Sequence, residues 1–74
     1  PQHNVDQEEF RKVLANAIDS LNEQERTVLS LYYYENLSMK EIGKVMHVSE
    51  QRIGQINRKL LNKLRDKLSQ FVKG

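Results

Sequence analysis

The sequence predicts an all-α fold, a small four-helix domain with a C-terminal helix-turn-helix. Apolar residues recur at spacings of three and four along the 74-residue chain, as on one face of an α-helix. The only proline stands at position 1, and no useful length alternates apolar and polar residues as a half-buried strand would. Residue patterns that cap helices mark where individual helices begin.

The first two helices belong to the acidic half of the chain. The first is predicted over residues 7–19, with Asp6 as its N-cap. The second is predicted to start at Asn22, with Glu25 completing a capping box, and to end near Tyr34. The apolar stripe of the first helix comprises Phe10, Val13, Leu14, Ala17, Ile18 and Leu21.

The last two helices are predicted to follow a short connection at residues 35–37. Ser38 caps the third helix, again with a capping-box residue, Glu41, and this helix ends near Met46. Ser49 caps the fourth helix, which extends to about residue 69 or 71. Its apolar stripe comprises Ile53, Ile56, Leu60, Leu64, Leu68 and Phe71.

Composition excludes several classes of protein. Cysteine is absent and His3 and His47 lie far apart, so neither a disulfide nor a metal site is predicted. No apolar run approaches the roughly 20 residues of a membrane span, and no signal-peptide pattern appears in these 74 residues. These features fit a soluble protein of a reducing compartment, and we expect a cytoplasmic location. No nucleophile–base pair or phosphate-binding glycine loop can be placed, so we predict neither an enzyme nor a bound cofactor. Because Pro1 is not an initiator Met, we expect a fragment of a longer chain.

Charge is divided unevenly between the two halves of the chain. Residues 1–37 hold three basic and seven acidic side chains, a net charge of −4. Residues 38–74 hold nine basic and three acidic side chains, a net charge of +6. A basic half of this kind favours contact with a polyanion such as nucleic acid. The alternative is a lysine-rich helix whose charges are only solvated.

Two glycines interrupt the helical pattern of the basic half. About three residues join the third and fourth helices, so these helices are predicted to cross steeply as a helix-turn-helix over about residues 38–69. Gly43 is predicted to face this crossing, where a larger side chain would hold the backbones apart; a generic αα-hairpin is the alternative. Gly54 is predicted to let DNA approach the fourth helix. The alternative interpretation is that glycine at position 54 is a tolerated, neutral substitution on a solvent-exposed face of the helix.

The stretch LNEQERTVLSLYYYENLSMKEIGKVMHVSEQRIGQINRKLLNKLR resembles region 4, the C-terminal domain, of bacterial sigma-70 family sigma factors. It is most similar to the flagellar and sporulation alternative sigma factors. The resemblance implies a domain that recognises the minus-35 element of double-stranded promoter DNA during transcription initiation. We expect the isolated domain to be a monomer. It also implies docking on the β flap of the RNA polymerase core, where an anti-sigma factor is a possible competitor.

Five residues of the fourth helix are predicted to face DNA. The resemblance places Gln51, Arg52 and Gln55 against the bases, because they occupy the N-terminal part of the recognition helix. Lys59 is placed against the bases or the backbone. Arg58 is added from helical geometry alone.

The starts of the third and fourth helices supply the rest of the predicted DNA site. Ser38 and Lys40 are expected to contact phosphates, since a helix N-terminus beside a cation favours an anion. Ser49, the cap of the recognition helix, completes the set.

Three positions depart from the family pattern. Glu50 stands where a basic residue is common, and an acid there repels phosphate although it suits a helix N-terminus. Gly54 stands where many members carry a larger or basic residue, which removes direct base contact from this position. His47 stands where glycine is common in the turn, so a left-handed conformation there is expected to strain it mildly.

The second helix is predicted to be apolar nearly all round, which leaves an apolar surface exposed in so small a domain. The resemblance implies that Leu29, Tyr32 and Tyr33 bind the flap. The alternative is a tyrosine-rich face packed inside with its hydroxyls outward.

Two other functions fit the same pattern. One is the output domain of a two-component response regulator, which shares the helix-turn-helix. The other is a helical protein-interaction module with a merely solvated basic face. Salt dependence separates the latter from DNA binding, because neutralising phosphates releases counterions.

Overall fold

The structure, a computed structural model, describes the backbone of residues 2–73 and the side chains of residues 7–70. This part of the chain contains four α-helices and no strand, which confirms the predicted all-α fold. The α-helices are α1 (Gln2–Asp19), α2 (Glu23–Leu29), α3 (Met39–Met46) and α4 (Glu50–Lys73), and the π-helical segment Ser30–Tyr34 directly follows α2.

Both predicted capping boxes are present. At the start of α2, Asn22 Oδ1 accepts the Glu25 N–H at 2.8 Å, and Glu25 Oε1 accepts the Asn22 N–H at 3.0 Å. At the start of α3, Ser38 Oγ accepts the Glu41 N–H at 3.1 Å, and Glu41 Oε1 accepts the Ser38 N–H at 2.8 Å. Each box satisfies backbone donors that the first turn of a helix leaves unpaired, so these four side chains fix where both helices begin.

Two predicted helix boundaries are wrong. Helix α1 begins at Gln2, so Asp6 lies within the helix and is not its N-cap. No proline or glycine separates Gln2 from Asp6, so nothing in the covalent chain interrupts the helix there. Helix α2 ends at Leu29, and the segment to Tyr34 is a π-helix in which the Glu35 N–H donates to Ser30 O at 3.0 Å. This wider turn keeps apolar residues close to helical spacing, which is why the sequence pattern did not distinguish it.

The core lies around α4, against which each of the other three α-helices packs. Its buried apolar side chains are Ala17, Leu21, Val28, Ile42, Ile53, Ile56 and Leu60. The predicted stripe of α4 is therefore buried over its first half, and Leu64 packs against the core with partial burial. Phe10, predicted as part of the α1 stripe, is 41% exposed and lies outside this core, while the side chain of Phe71 lies outside the described residues.

The turn between α3 and α4 is built around Gly43, as predicted. A Cβ placed on Gly43 would lie 2.7 Å from the carbonyl oxygen of Val48, closer than real Cβ atoms approach. His47 adopts the left-handed conformation, with φ 61° and ψ 41°, and its N–H donates to Gly43 O. The Val48 N–H donates to the same oxygen at 2.9 Å. The absence of a side chain on Gly43 therefore lets the chain reverse tightly and sets α4 across α3.

Candidate nucleic-acid interface

The first half of α4 has one polar, exposed face opposite the core. Ser49 caps the helix as predicted, because its Oγ accepts the Arg52 N–H at 3.0 Å. Since an α-helix turns by about 100° per residue, Gln51, Gln55 and Arg58 fall within about 60° of one another. Arg52 and Lys59 flank them on one side, and all five side chains are exposed. The structure therefore brings the five residues predicted on this helix onto one face.

A shallow groove runs between this face and the start of α3. Its lining residues are Met39, Glu50, Gln51, Gly54, Gln55 and Arg58. Three predicted DNA-binding residues thus share the groove with the glycine that was predicted to permit close approach. Met39 was not predicted as a site residue. Its position directly after the Ser38 cap, at the start of the helix predicted to contact phosphates, was the available clue.

Gly54 differs from Gly43 in what surrounds it. A Cβ placed on Gly54 would meet Met39 Sδ at 3.9 Å, an ordinary van der Waals distance, and nothing else that close. Its φ is not positive, so an L-residue fits the backbone. The packing of the described residues therefore does not require glycine at position 54, whereas it does at position 43.

Arg52 and Gln55 contact each other on the exposed face. Arg52 Nη1 donates to Gln55 Oε1 at 3.4 Å, a long hydrogen bond between exposed groups. A glutamine that binds adenine bidentately uses both its oxygen and its amide nitrogen. The contact between Arg52 and Gln55 can be broken at little energetic cost, because both groups are exposed to solvent.

The start of α3 presents a polar surface beside the groove. Ser38 and Lys40 are exposed, as a phosphate site requires. The capping box uses the N–H groups of Ser38 and Glu41, which leaves the N–H groups of Met39 and Lys40 at the open end of the helix. Hydrogen bonds from the backbone and side chain of Ser38 lower the pKa of Glu41, so this carboxylate is ionised at neutral pH.

An ion pair that the sequence analysis missed joins α2 to α4. Lys63 Nζ lies 2.8 Å from Glu25 Oε1, and the Glu25 side chain is only 2% exposed. Burial by itself raises the pKa of Glu25, but the hydrogen bonds from Lys63 and Asn22 and the positive charges of Lys63 and Lys59 together lower it. Glu25 Oε2 has no hydrogen-bond partner among the described residues. One basic side chain of α4, itself 37% exposed, is therefore ion-paired with a buried carboxylate of α2.

The predicted partner-binding residues are not equally accessible. Leu29 and Tyr32 are half-buried and pack against the core, whereas Tyr33 is 43% exposed. The Tyr33 hydroxyl donates to Asn57 Oδ1 at 3.2 Å, and its ring meets that of Tyr32 edge to face with centroids 4.8 Å apart. Tyr34, which was not in the predicted set, is the more exposed aromatic residue at 72%.

The second helix was expected to be apolar nearly all round on the basis of residues 28–34, and most of these belong to the π-helical segment and not to α2. The outward-facing side chains of α2 itself are mainly polar. This side of the helix carries a shallow depression lined by Glu23, Arg26, Thr27, Ser30 and Leu31. Exposed aromatic surface is found instead in the π-helical segment Ser30–Tyr34. Of the three predicted partner-binding residues, Tyr33 is the exposed one, and it lies in this segment.

Comparison with known proteins identifies the family. Residues 17–66, from the end of α1 to the middle of α4, match the family described as sigma-70, region 4. This chain belongs to the sigma-70 region 4 family. The resemblance predicted from the sequence is thereby confirmed, and the matched span contains every predicted DNA-binding and partner-binding residue.

Curated relatives agree with this assignment. The chain is 45% identical to RNA polymerase sigma factor FliA of Pseudomonas aeruginosa, over 96% of the chain and 29% of that relative. It is 39% identical to the RNA polymerase sigma-D factor of Bacillus subtilis, over 97% of the chain and 28% of that relative. The chain thus spans less than a third of the length of these relatives. Within residues 2–73, no helix is long and apolar enough to cross a membrane.

Proposed function

We propose that this domain recognises the minus-35 element of promoter DNA in the major groove, as part of a cytoplasmic sigma factor during transcription initiation. The observation that carries the proposal is the exposed polar face of α4, on which Gln51, Gln55 and Arg58 stand together over an open glycine. The crossing fixed by Gly43 sets this helix against α3, as a recognition helix requires. Family membership and the names of the relatives support RNA polymerase as the partner and assign no catalysis.

The side chains suit distinct parts of the duplex. Glutamine pairs bidentately with adenine and arginine with guanine, so Gln51, Gln55 and Arg52 are assigned to base edges. Ser38 and Lys40 are assigned to phosphates, which position the protein without specifying sequence.

The decisive experiment measures binding to a duplex library randomised at a minus-35-like hexamer, by fluorescence anisotropy. We expect one sequence class to be enriched, and Arg52→Ala or Gln55→Ala to weaken binding to it by about 1–3 kcal/mol while relaxing its preference. Arg11→Ala, which removes one exposed positive charge from α1, is the matched control and should leave the preference unchanged. Binding that is indifferent to sequence and to both α4 substitutions contradicts base recognition by α4.

A salt series tests the phosphate contacts and separates this function from a protein-interaction module. The logarithm of the binding constant decreases linearly with the logarithm of the salt concentration, and each phosphate contact that is removed makes this slope shallower by about 0.9. Lys40→Ala should therefore reduce the slope by about one while leaving sequence preference intact. A wild-type slope near zero would indicate that the basic half of the chain is only solvated.

We further propose that the π-helical segment docks on the β flap of RNA polymerase through Tyr33, and that an anti-sigma factor competes for the same surface. Three observations support this surface: the exposure of Tyr33, its ring contact with Tyr32, and the packing of Leu29 and Tyr32 against the core. Tyr33→Ala should weaken binding to the isolated flap with DNA binding unchanged. Val45→Ala truncates an exposed apolar side chain on α3, outside this segment, and is the matched control, which should leave flap affinity unchanged. Equal flap affinity of wild type and a folded Tyr33→Ala variant would rule out this surface.

The monomeric state is also a proposal, and it distinguishes the domain from a response-regulator output domain, which usually dimerises. Sedimentation equilibrium should give the mass of one 8.7 kDa chain across a range of concentrations. A dimer mass that is retained on dilution would favour the regulator.

A further inference from the structure

The groove beside α4 contains one apolar side chain among its polar lining residues. Met39, the first residue of α3, shares the groove with Gln51, Gln55 and Arg58. It is half-buried and packs against the core, while part of its side chain lines the groove. The groove therefore offers an apolar contact that hydrogen bonds to base edges do not use.

Gly54 is what leaves this apolar surface open. A Cβ at position 54 would lie 3.9 Å from Met39 Sδ. The open space next to Gly54 therefore borders the thioether of Met39. A larger side chain at position 54 would stand between the solvent and Met39. The glycine thus does more than permit general approach of the DNA, because it uncovers one specific side chain.

From this geometry we infer that Met39, through the space left by Gly54, contacts the 5-methyl group of a thymine in the bound promoter element. The thymine methyl is the apolar group that base edges present in the major groove. A thioether is flexible and polarisable, and it packs well against a methyl group. This inference rests on the proposed function, since it needs α4 to lie in the major groove. It makes Met39 and Gly54 determinants of DNA sequence specificity.

The test replaces thymidine by deoxyuridine, which removes only the methyl group. Each thymine on either strand of the hexamer selected from the library is replaced in turn, and affinities are measured by anisotropy. In the wild-type domain, one replacement should weaken binding about three- to five-fold, the effect of withdrawing one buried methyl group. In Met39→Ala the same replacement should change affinity by less than about 1.5-fold, and Met39→Leu should retain most of the discrimination.

Two further variants keep the test independent of folding. Gly54→Gln places a polar side chain in the groove without touching the buried core, and it should abolish discrimination between thymine and uracil. Val45→Ala truncates an exposed apolar side chain elsewhere on α3 and should leave discrimination intact. Circular dichroism confirms that each variant is folded before its affinities are compared.

The outcomes separate this inference from the proposed function. If a hexamer is selected and Arg52→Ala relaxes the preference, but uracil is tolerated at every position, the inference is overturned and the proposed function stands. The inference is equally overturned if the uracil effect persists unchanged in Met39→Ala and Gly54→Gln, or if the selected hexamer holds no thymine. If no sequence is selected at all, both fail.

Discussion

The two glycines in the helix-turn-helix provide the sharpest test of the packing argument. Both lie within α-helices, so alanine at either position gains about 1 kcal/mol of helix propensity. At Gly43, however, the added methyl would lie 2.7 Å from the carbonyl oxygen of Val48. That atom belongs to the backbone of the turn, so relief of the contact requires α3 and α4 to move apart.

The expected magnitudes follow from these contacts. Overpacking of this kind costs about 1–3 kcal/mol, and weakening of the hydrogen bond from the Val48 N–H to Gly43 O costs about 1 kcal/mol more. Because the gain in helix propensity offsets the latter, Gly43→Ala should lower the free energy of unfolding by about 1–3 kcal/mol. In Gly54→Ala the added methyl would lie 3.9 Å from Met39 Sδ, an ordinary contact, so this substitution should raise the free energy of unfolding by about 0.5–1 kcal/mol.

Thermal unfolding followed by circular dichroism at 222 nm measures both changes. For a domain of this size, 1 kcal/mol corresponds to about 4–8 °C in Tm. Gly43→Ala should therefore lower Tm by roughly 5–20 °C, while Gly54→Ala should raise it by a few degrees. A Tm for Gly43→Ala at or above that of the wild type, or equal shifts for both variants, would refute the close approach at the turn.

Three further predictions concern single side chains. His47→Gly should stabilise the domain by about 0.5–1 kcal/mol in urea unfolding, because His47 is exposed and its φ of 61° favours glycine. Glu25→Gln should destabilise it by about 1–2 kcal/mol at pH 7 by weakening the contact with Lys63. The pKa of Glu25 in the folded protein is lowered from 4.5, so the stability difference between wild type and Glu25→Gln should persist above pH 4.5. It should disappear as the pH falls through the folded-state pKa of Glu25. A stability difference that grows on acidification would contradict a stabilising ion pair between Glu25 and Lys63. Tyr33→Phe should cost about 1 kcal/mol by leaving the buried Asn57 Oδ1 unpaired, and an unchanged urea midpoint would show that the bond contributes nothing.

Features of the fold that depend on neighbouring residues were predictable from the sequence. The capping boxes at Asn22 and Ser38 connect residues three apart, so both partners are visible in one short stretch. The close approach at Gly43 follows from the short connection between the two helices. The left-handed turn at His47 was expected from the family resemblance, because glycine is common at this position. The exposed face of α4 follows from the same periodicity, because its buried stripe fixes which side faces solvent.

Features that depend on distant residues were not predictable. Glu25 and Lys63 are 38 positions apart, and Tyr33 and Asn57 are 24 apart. Each residue has an adequate local explanation, since Glu25 completes a capping box and Lys63 belongs to a basic helix. Only the packing of the helices brings the partners together. The π-helical segment was not predicted either, because its apolar residues keep nearly the spacing that they would have in an α-helix.

The arrangement of contacts around α4 explains how one helix can serve both packing and recognition. Its inward face carries Ile53, Ile56 and Leu60, which form the centre of the core. Hydrogen bonds from Lys63 to Glu25 and from Tyr33 to Asn57 then tie it to the preceding elements. The buried side chains set the rotation of α4, so the face that bears Gln51 and Gln55 lies along the groove. The contacts that position α4 lie in the core, whereas the residues proposed to recognise DNA lie on the surface. Substitutions on the exposed face should therefore change DNA sequence preference with little effect on stability.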